Sequence, residues 1–123
     1  MNRYVLVMLG AAVGGVARYI LWAAITQRFS GKFPLGTLAV NLTGCFAIGV
    51  LMTVLTERLV ADPRWRLLLV TGVLGGYTTY SSFAWETFQS IRDGSPWIGL
   101  IYVMASVILG YLAVWCGALL AKR

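Results

Sequence analysis

The stretch GGYTTYSSF, at residues 75–83, combines glycines, hydroxyl side chains and aromatic rings within an otherwise apolar segment. Its two glycines each lower helix stability by about 1 kcal/mol relative to alanine. Irregular backbone at membrane depth is tolerated only where it is buried in protein or lines a wet cavity. A broken helix exposes carbonyls, which suit a cation, and N–H groups, which suit an anion. The stretch therefore predicts a site for an ion or a polar solute, with a glycine and serine packing seam as the alternative.

The hydroxyl groups of this stretch can bond the backbone or serve as donors to a ligand. They belong to Thr78, Thr79, Ser81 and Ser82. A second source of neutral donors lies upstream, where Thr37 and Asn41 are four residues apart and share one helical face. The Asn41 amide either bonds a neighbouring helix or donates N–H groups to an anion.

Two charged residues interrupt the apolar segments that surround these donors. Arg18 is either a side chain that extends to the membrane interface or a fixed positive charge at a pore mouth. Glu86 is either paired with an arginine, placed near the interface, or a proton or cation site.

The composition predicts that the elements positioning these residues are membrane helices. Of the 123 residues, 59% are hydrophobic and 11% are charged, whereas a soluble domain carries about 25% charged residues. A bilayer core of about 30 Å requires roughly 20 apolar residues of helix. Four segments meet this length, so we predict an all-α membrane protein with a single domain over residues 1–123. The predicted spans are residues 4–26, 35–56, 65–91 and 97–120.

The loop charges favour an orientation with both termini in the cytoplasm, but the bias is small. One side carries Arg3, Arg58, Arg64, Arg66, Lys122 and Arg123, and the other carries Arg28, Lys32 and Arg92. Such a small bias leaves room for insertion in both orientations. Small residues at helical spacing, including the pairs Gly10 and Gly14 and Gly72 and Gly76, indicate close helix packing, either within the chain or between copies.

Several function classes are excluded by what the sequence lacks. The net charge is +6, but the basic residues flank the apolar segments rather than forming the basic face of a soluble domain, which argues against a nucleic-acid partner. Cys45 and Cys116, in a chain without histidine, are interpreted as free structural thiols rather than a zinc or redox site. An enzyme is not expected, because the chain offers no nucleophile–base pair.

Three segments together resemble the small bacterial fluoride channels, the Fluc or CrcB family. They are GGVARY at residues 14–19, GTLAVNLTG at residues 36–44 and TGVLGGYTTYSSFAWET at residues 71–87. The chain length, the four spans and the order of the motifs match over nearly the whole chain. The motif of the third span is the most specific of the three.

The resemblance implies an antiparallel homodimer of dual topology in the bacterial inner membrane, with the third helix broken near its middle. It implies two pores at the subunit interface that export cytoplasmic fluoride by passive conduction. It also implies a structural Na⁺ at the dimer centre, held by the backbone carbonyls of Gly75 and Thr78. The pore residues carried over from the family are Arg18, Thr37, Asn41, Tyr80, Ser81, Ser82, Phe83, Tyr102 and Ser106.

The sequence departs from the family pattern at three positions. Tyr80 replaces a phenylalanine, Ser82 replaces a threonine, and Gly110 stands where a hydroxyl track on the fourth span often continues. The principal alternative function is a small multidrug-type, proton-coupled exporter, which resembles this chain in length and dual insertion. That class depends on an acidic residue in its first span, where this sequence has Arg18.

Overall fold

The computed structural model describes residues 1–57 and 62–123, and the regular structure in these residues is all helical. Three long helices are α1 (Arg3–Arg28), α2 (Leu35–Glu57) and α6 (Pro96–Lys122). Four shorter elements lie between α2 and α6: α3 (Pro63–Trp65), a π-helical segment (Arg66–Leu74), α4 (Gly75–Tyr77) and α5 (Tyr80–Arg92). The predicted all-α class is confirmed. Arg58, one of the predicted loop charges, lies outside the described residues.

The three long helices are long and apolar enough to cross a membrane. They extend the predicted spans by one or two residues at their ends, because local signals set those ends. The Asn2 side chain accepts a hydrogen bond from the Tyr4 N–H at 2.9 Å and so caps α1. Pro96 begins α6, directly after a turn in which Gly94 adopts a φ of +85°.

The segment predicted as the third span is not one continuous α-helix. It contains nine residues of π-helix, which no sequence pattern predicted, and then a break between α4 and α5. The break does not lie at the glycine pair, because Gly75 has helical angles of φ −62° and ψ −37°. Thr78 and Thr79 are the extended residues, with ψ values of 157° and 114°. The expected break near the middle of the third span is therefore present, and its extended residues are Thr78 and Thr79 rather than the glycines.

The glycines serve close packing inside the chain. A Cβ on Gly10 would lie 2.8 Å from the Cα of Gly72, and a Cβ on Gly76 would lie 2.6 Å from the carbonyl oxygen of Ala11. A Cβ on Gly14 would meet the backbone of Val73. Of the two interpretations of these small residues, the structure supports packing within the chain. It places α1 directly against the first half of the broken segment.

Helix α2 holds the centre of the fold, since it packs along α6 on one side and contacts the broken segment on another. Gly117 lets α6 approach the backbone of α2 at Phe46, so a side chain there would meet the Phe46 carbonyl. Val40 and Tyr102, on α2 and α6, are fully buried between these elements. As a result α2 presents its polar residues, Thr37 and Asn41, to the broken segment.

Candidate functional site

The break is held by the side-chain amide of Asn41. Asn41 Nδ2 donates to the Thr79 carbonyl at 3.0 Å, and the Thr79 N–H donates to Asn41 Oδ1 at 2.8 Å. The amide thus pairs with both backbone polar groups of Thr79, much as a neighbouring strand would. Of the two interpretations of Asn41, bonding to a neighbouring segment is observed, and it leaves a single amide hydrogen for any other partner.

Two further contacts join α2 to the residues around the break. Gly44 faces Thr78, and a Cβ on Gly44 would collide with the Thr78 methyl group. The hydroxyls of Thr43 and Tyr77 are 2.7 Å apart, one residue before the extended pair. On the far side, the Thr79 hydroxyl accepts the Ser82 N–H at 3.3 Å and caps α5. The local sequence therefore begins α5 at Tyr80, while α2 fixes where α4 must end.

A cavity of about 460 Å³ lies beside the break. It brings together six residues predicted from the sequence, and the residues that line it carry no charged side chain. The predicted residues on its wall are Asn41, Gly75, Thr78, Tyr80, Phe83 and Ser106. Its polar groups are hence neutral ones, set in a mainly apolar wall.

Ser106 contributes a further polar atom to this wall. Its hydroxyl oxygen is buried and has no hydrogen-bond partner among the residues that the structure describes. A buried hydroxyl without a partner is costly, so it indicates a ligand or a water at that position. Cys45, which the sequence did not predict as a site residue, lies on the same wall. Its sulfur faces Gly110.

Three of the predicted pore residues lie elsewhere, around a second cavity of about 210 Å³. Arg18, Thr37 and Ser82 line this cavity, together with Thr79 from the break. Thr79 is therefore the residue common to the two cavities. Arg18 takes part in no ion pair among the described residues, and it shares the cavity wall with the hydroxyl residues Thr37, Thr79 and Ser82.

The aromatic residues form a connected row. The Phe83 and Tyr102 ring centroids are 5.1 Å apart with their planes at 64°, an edge-to-face arrangement. Tyr80 and Phe83 have centroids 5.9 Å apart on the other side. Tyr80 is 81% exposed, however, whereas Tyr102 is completely buried. Ser81 is exposed and lines neither cavity, so the structure does not bring it to the other predicted residues.

Glu86 is the acidic residue closest to this row. It accepts a hydrogen bond from the Thr37 hydroxyl at 2.5 Å and another from the Tyr102 hydroxyl at 3.4 Å. Of the interpretations left open for Glu86, the pairing with an arginine is not what the described residues show, because its partners are hydroxyls. Glu86 also lines a third cavity, of about 280 Å³, with Lys32 and Asp93 at its outer end.

The sequence matches the family described as CrcB-like protein, Camphor Resistance (CrcB), over residues 5–118. The chain belongs to the CrcB family.

Curated CrcB relatives match along nearly their whole length and share one name, fluoride-specific ion channel FluC. The protein from Solibacter usitatus is 60% identical over 98% of this chain and 99% of its own length. The protein from Acidobacterium capsulatum is 42% identical over 98% of this chain and 97% of its own. The protein from Rhizobium meliloti is 43% identical over 99% of this chain and 98% of its own.

In this CrcB chain the backbone supplies the groups best suited to a cation. The described residues contain no cluster of three or more His, Cys, Asp or Glu side chains that could hold a metal. A continuous helix would direct the Thr79 N–H at the Gly75 carbonyl, and the Ser82 N–H at the Thr78 carbonyl. These two amides instead bond Asn41 and the Thr79 hydroxyl. The carbonyl oxygens of Gly75 and Thr78 therefore lack those helical partners.

Proposed function

We propose that this chain forms a passive channel for fluoride. The observation that carries the proposal is the cavity beside a broken helix, whose wall offers amide and hydroxyl groups but no charged side chain. The curated relatives named as fluoride-specific ion channels support the same ion. No covalent chemistry is proposed for this wall.

The chemistry of the wall suits a small, strongly hydrated anion. Removing a bare ion from water costs far more than removing a hydrogen-bonded group, so donors must replace the lost water. A fixed positive charge beside the ion would hold it too tightly, whereas conduction requires binding that is weak enough for release. The Ser106 hydroxyl, which has no partner among the described residues, and the amide hydrogen of Asn41 that does not bond Thr79 are neutral donors of this kind.

The aromatic residues supply a second kind of contact. The ring edge of an aromatic residue carries partial positive charge and can face an anion. Phe83 and Tyr80 stand on the cavity wall, and the ring of Tyr102 lies against Phe83. We propose that fluoride passes the edges of Phe83 and Tyr80, then the hydroxyls on α6 and α5. In this path Ser81 and Ser82 are further donors, Thr37 would serve only if its hydroxyl left the Glu86 carboxylate, and Arg18 attracts anions from its side of α2.

We propose that two copies associate to complete the path. The cavity wall is open, since Tyr80 is 81% exposed and Gly75 is exposed beside it. The second copy would supply the missing wall, and the weak asymmetry of the loop charges suits a partner inserted in the opposite orientation. The proposed setting is the inner membrane of a bacterium, with residues 63–92 as a further crossing beside the three long helices.

We propose a structural Na⁺ at the centre of the pair. The oxygen atoms that fit this role are the carbonyls of Gly75 and Thr78, since the amides that would bond them in a continuous helix are engaged elsewhere. Hard cations favour neutral and anionic oxygen ligands of this type. When bound, the ion would supply positive charge between the two copies. A single chain offers few oxygens there, which fits a site shared by both copies.

The decisive experiment is ion efflux from liposomes that contain the purified, full-length protein. We expect liposomes loaded with fluoride to release it, and liposomes loaded with chloride to retain it. Release without any proton gradient would separate the channel from the alternative, a proton-coupled small multidrug-type exporter. Retention of fluoride by protein shown to be folded would contradict the proposed function.

A further inference from the structure

Thr79 has both of its backbone polar groups bonded by one side chain. Its N–H donates to Asn41 Oδ1 at 2.8 Å, and its carbonyl accepts from Asn41 Nδ2 at 3.0 Å. In a continuous helix the same N–H would bond the carbonyl of Gly75, four residues earlier. The Asn41 side chain therefore bonds the Thr79 N–H, which in a continuous helix would bond the Gly75 carbonyl oxygen.

We propose that Asn41 is a positioning residue, which keeps Thr78 and Thr79 extended and thereby leaves the carbonyl oxygen of Gly75 free to bind a ligand. The effect crosses between elements, because Asn41 lies on α2 and the carbonyl lies in α4. This role differs from that of a direct contact to the permeating ion. It uses the amide oxygen and one amide hydrogen, whereas a contact to an anion would use the remaining hydrogen.

Asn41 is one of three groups that favour the extended conformation of Thr78 and Thr79, and it is the one that bonds the Thr79 backbone. Gly44 leaves room for the methyl group of Thr78, and the Thr79 hydroxyl caps the first turn of α5. These two contacts favour the extended conformation but satisfy neither the N–H nor the carbonyl of Thr79. In a membrane, backbone groups without partners are strongly unfavourable. Without the Asn41 amide, the nearest way to pair the Thr79 N–H is to return it to Gly75.

That the Gly75 oxygen binds Na⁺ rests on the proposed function, but the control of the Thr79 backbone by Asn41 does not. Fluoride retention by wild-type liposomes would remove the channel and leave the positioning role intact. The tests below therefore follow the backbone directly.

The first test uses the unmodified, full-length protein in lipid bilayers, with ¹⁵N-labelled asparagine and ¹³C-labelled threonine, and solid-state NMR. The chain has two asparagines, Asn2 and Asn41, so the side-chain amide signals are few. We expect a through-space cross peak between Asn41 Nδ2 and the Thr79 carbonyl carbon, and none to any threonine from Asn2. Absence of the Asn41–Thr79 peak would overturn the proposal.

The second test compares Asn41→Leu with Thr43→Val, a matched change two residues away that removes the hydroxyl contact to Tyr77. We expect the Thr79 Cα and Cβ shifts to move from extended towards helical values in Asn41→Leu and to stay extended in Thr43→Val. Unchanged Thr79 shifts in a folded Asn41→Leu protein would overturn the proposal. If that variant does not fold, the cross peak in the unmodified protein decides.

The third test adds NaCl, with KCl as the control, and follows the carbonyl carbon shift of ¹³C-labelled Gly75. We expect Na⁺ to move this signal in the unmodified protein and to leave it unmoved in Asn41→Leu. An equal Na⁺-dependent shift in the two proteins would show that the Gly75 oxygen is free without Asn41, and would contradict the proposal, whereas no shift in either protein would count against the Na⁺ site of the proposed function alone. No measurement in this series depends on fluoride transport.

Discussion

The hydroxyl of Thr37 donates to the carboxylate of Glu86 at 2.5 Å, although the two residues are 49 positions apart in the chain. The bond joins α2 to α5 at a place where Thr37 is 1% exposed. Tyr102, fully buried on α6, donates to the other oxygen of the same carboxylate. Glu86 thus connects three elements that surround the candidate path, and both of its hydroxyl partners are buried.

Loss of the Glu86 acceptor should destabilise the fold. Replacing Glu86 with leucine leaves two buried hydroxyls without their acceptor, which costs about 1–3 kcal/mol per group. Glu86→Gln keeps one acceptor oxygen, so we expect a smaller loss. Thermal unfolding in detergent measures the loss of stability in both variants. The control is Glu57→Gln, at an exposed helix end paired with Lys122 at 3.8 Å, where a change below about 1 kcal/mol is expected. Equal effects at the two positions would contradict the structural role of Glu86.

Phe83→Ile should slow fluoride efflux, because it removes the ring edge on the cavity wall and its contact with Tyr102. We expect a fall of at least about tenfold, equivalent to about 1.4 kcal/mol at the barrier. The rate is measured in liposomes, with assembly checked by gel filtration. Phe88→Ile, on the same helix and 53% exposed, serves as the control. Undiminished flux in assembled Phe83→Ile would remove Phe83 from the path.

Asn41→Asp should abolish efflux at neutral pH. The carboxylate would repel the anion by about 4 kcal/mol at 4 Å and an effective dielectric constant near 20. It would also face the Thr79 carbonyl, to which the present amide donates. Asn2→Asp, a cap at the start of α1, is the matched control and should conduct normally. Normal flux through Asn41→Asp would count against Asn41 as a ligand of the ion.

Adjacent glycines on α1 allow a test of close packing. A Cβ on Gly14 would collide with the Val73 backbone, whereas a Cβ on Gly15 would meet nothing within 4 Å. We expect Gly14→Ala to destabilise by about 1–3 kcal/mol and Gly15→Ala to be neutral or to stabilise by up to about 1 kcal/mol. Thermal unfolding of the two variants gives the comparison. Equal stabilities would show that α1 does not approach the first half of the broken segment this closely.

A surface pair provides a pH-dependent prediction. Hydrogen bonds from Arg64, at 2.9 and 3.1 Å, hold the pKa of the Asp62 carboxyl below its ordinary value. A depressed folded-state pKa gives a stabilising contribution that is complete above the ordinary value and is lost as pH falls through the folded one. NMR titration of the Asp62 carboxyl carbon should show a midpoint that rises in Arg64→Gln. Identical midpoints in the two proteins would exclude this pairing in solution.

The long helices and the break differ in how far the sequence determines them. α1, α2 and α6 follow from long apolar runs, and their ends from local signals such as Asn2 and Pro96. The break was expected near the middle of the third span, and it lies at Thr78 and Thr79, where Asn41, 38 positions earlier in the chain, stabilises it. Spacing along one helix does not reveal such a partner.

In the candidate site too, the sequence predicts some residues, whereas the placement of others depends on how the helices pack. Sequence motifs identified Asn41, Phe83 and Ser106, and the structure brings them to one cavity. The motifs did not reveal that Arg18, Thr37 and Ser82 line a different cavity, because that depends on which side of α2 each element packs. The π-helical segment at Arg66–Leu74 also has no recognisable sequence signal. Cys45 lines the cavity because α2 and α6 pack together where it faces Gly110, a contact that the sequence does not reveal.

The short second half of the broken segment has a consequence for biogenesis. α5 has 13 residues, a length of about 20 Å, which cannot cross a hydrocarbon core of about 30 Å alone. The proposed crossing by residues 63–92 would therefore need both halves, taken up by the insertion machinery as a single unit despite their polar middle. Because α2 precedes α5 in the chain, the amide of Asn41 is synthesised before the Thr79 backbone that it bonds.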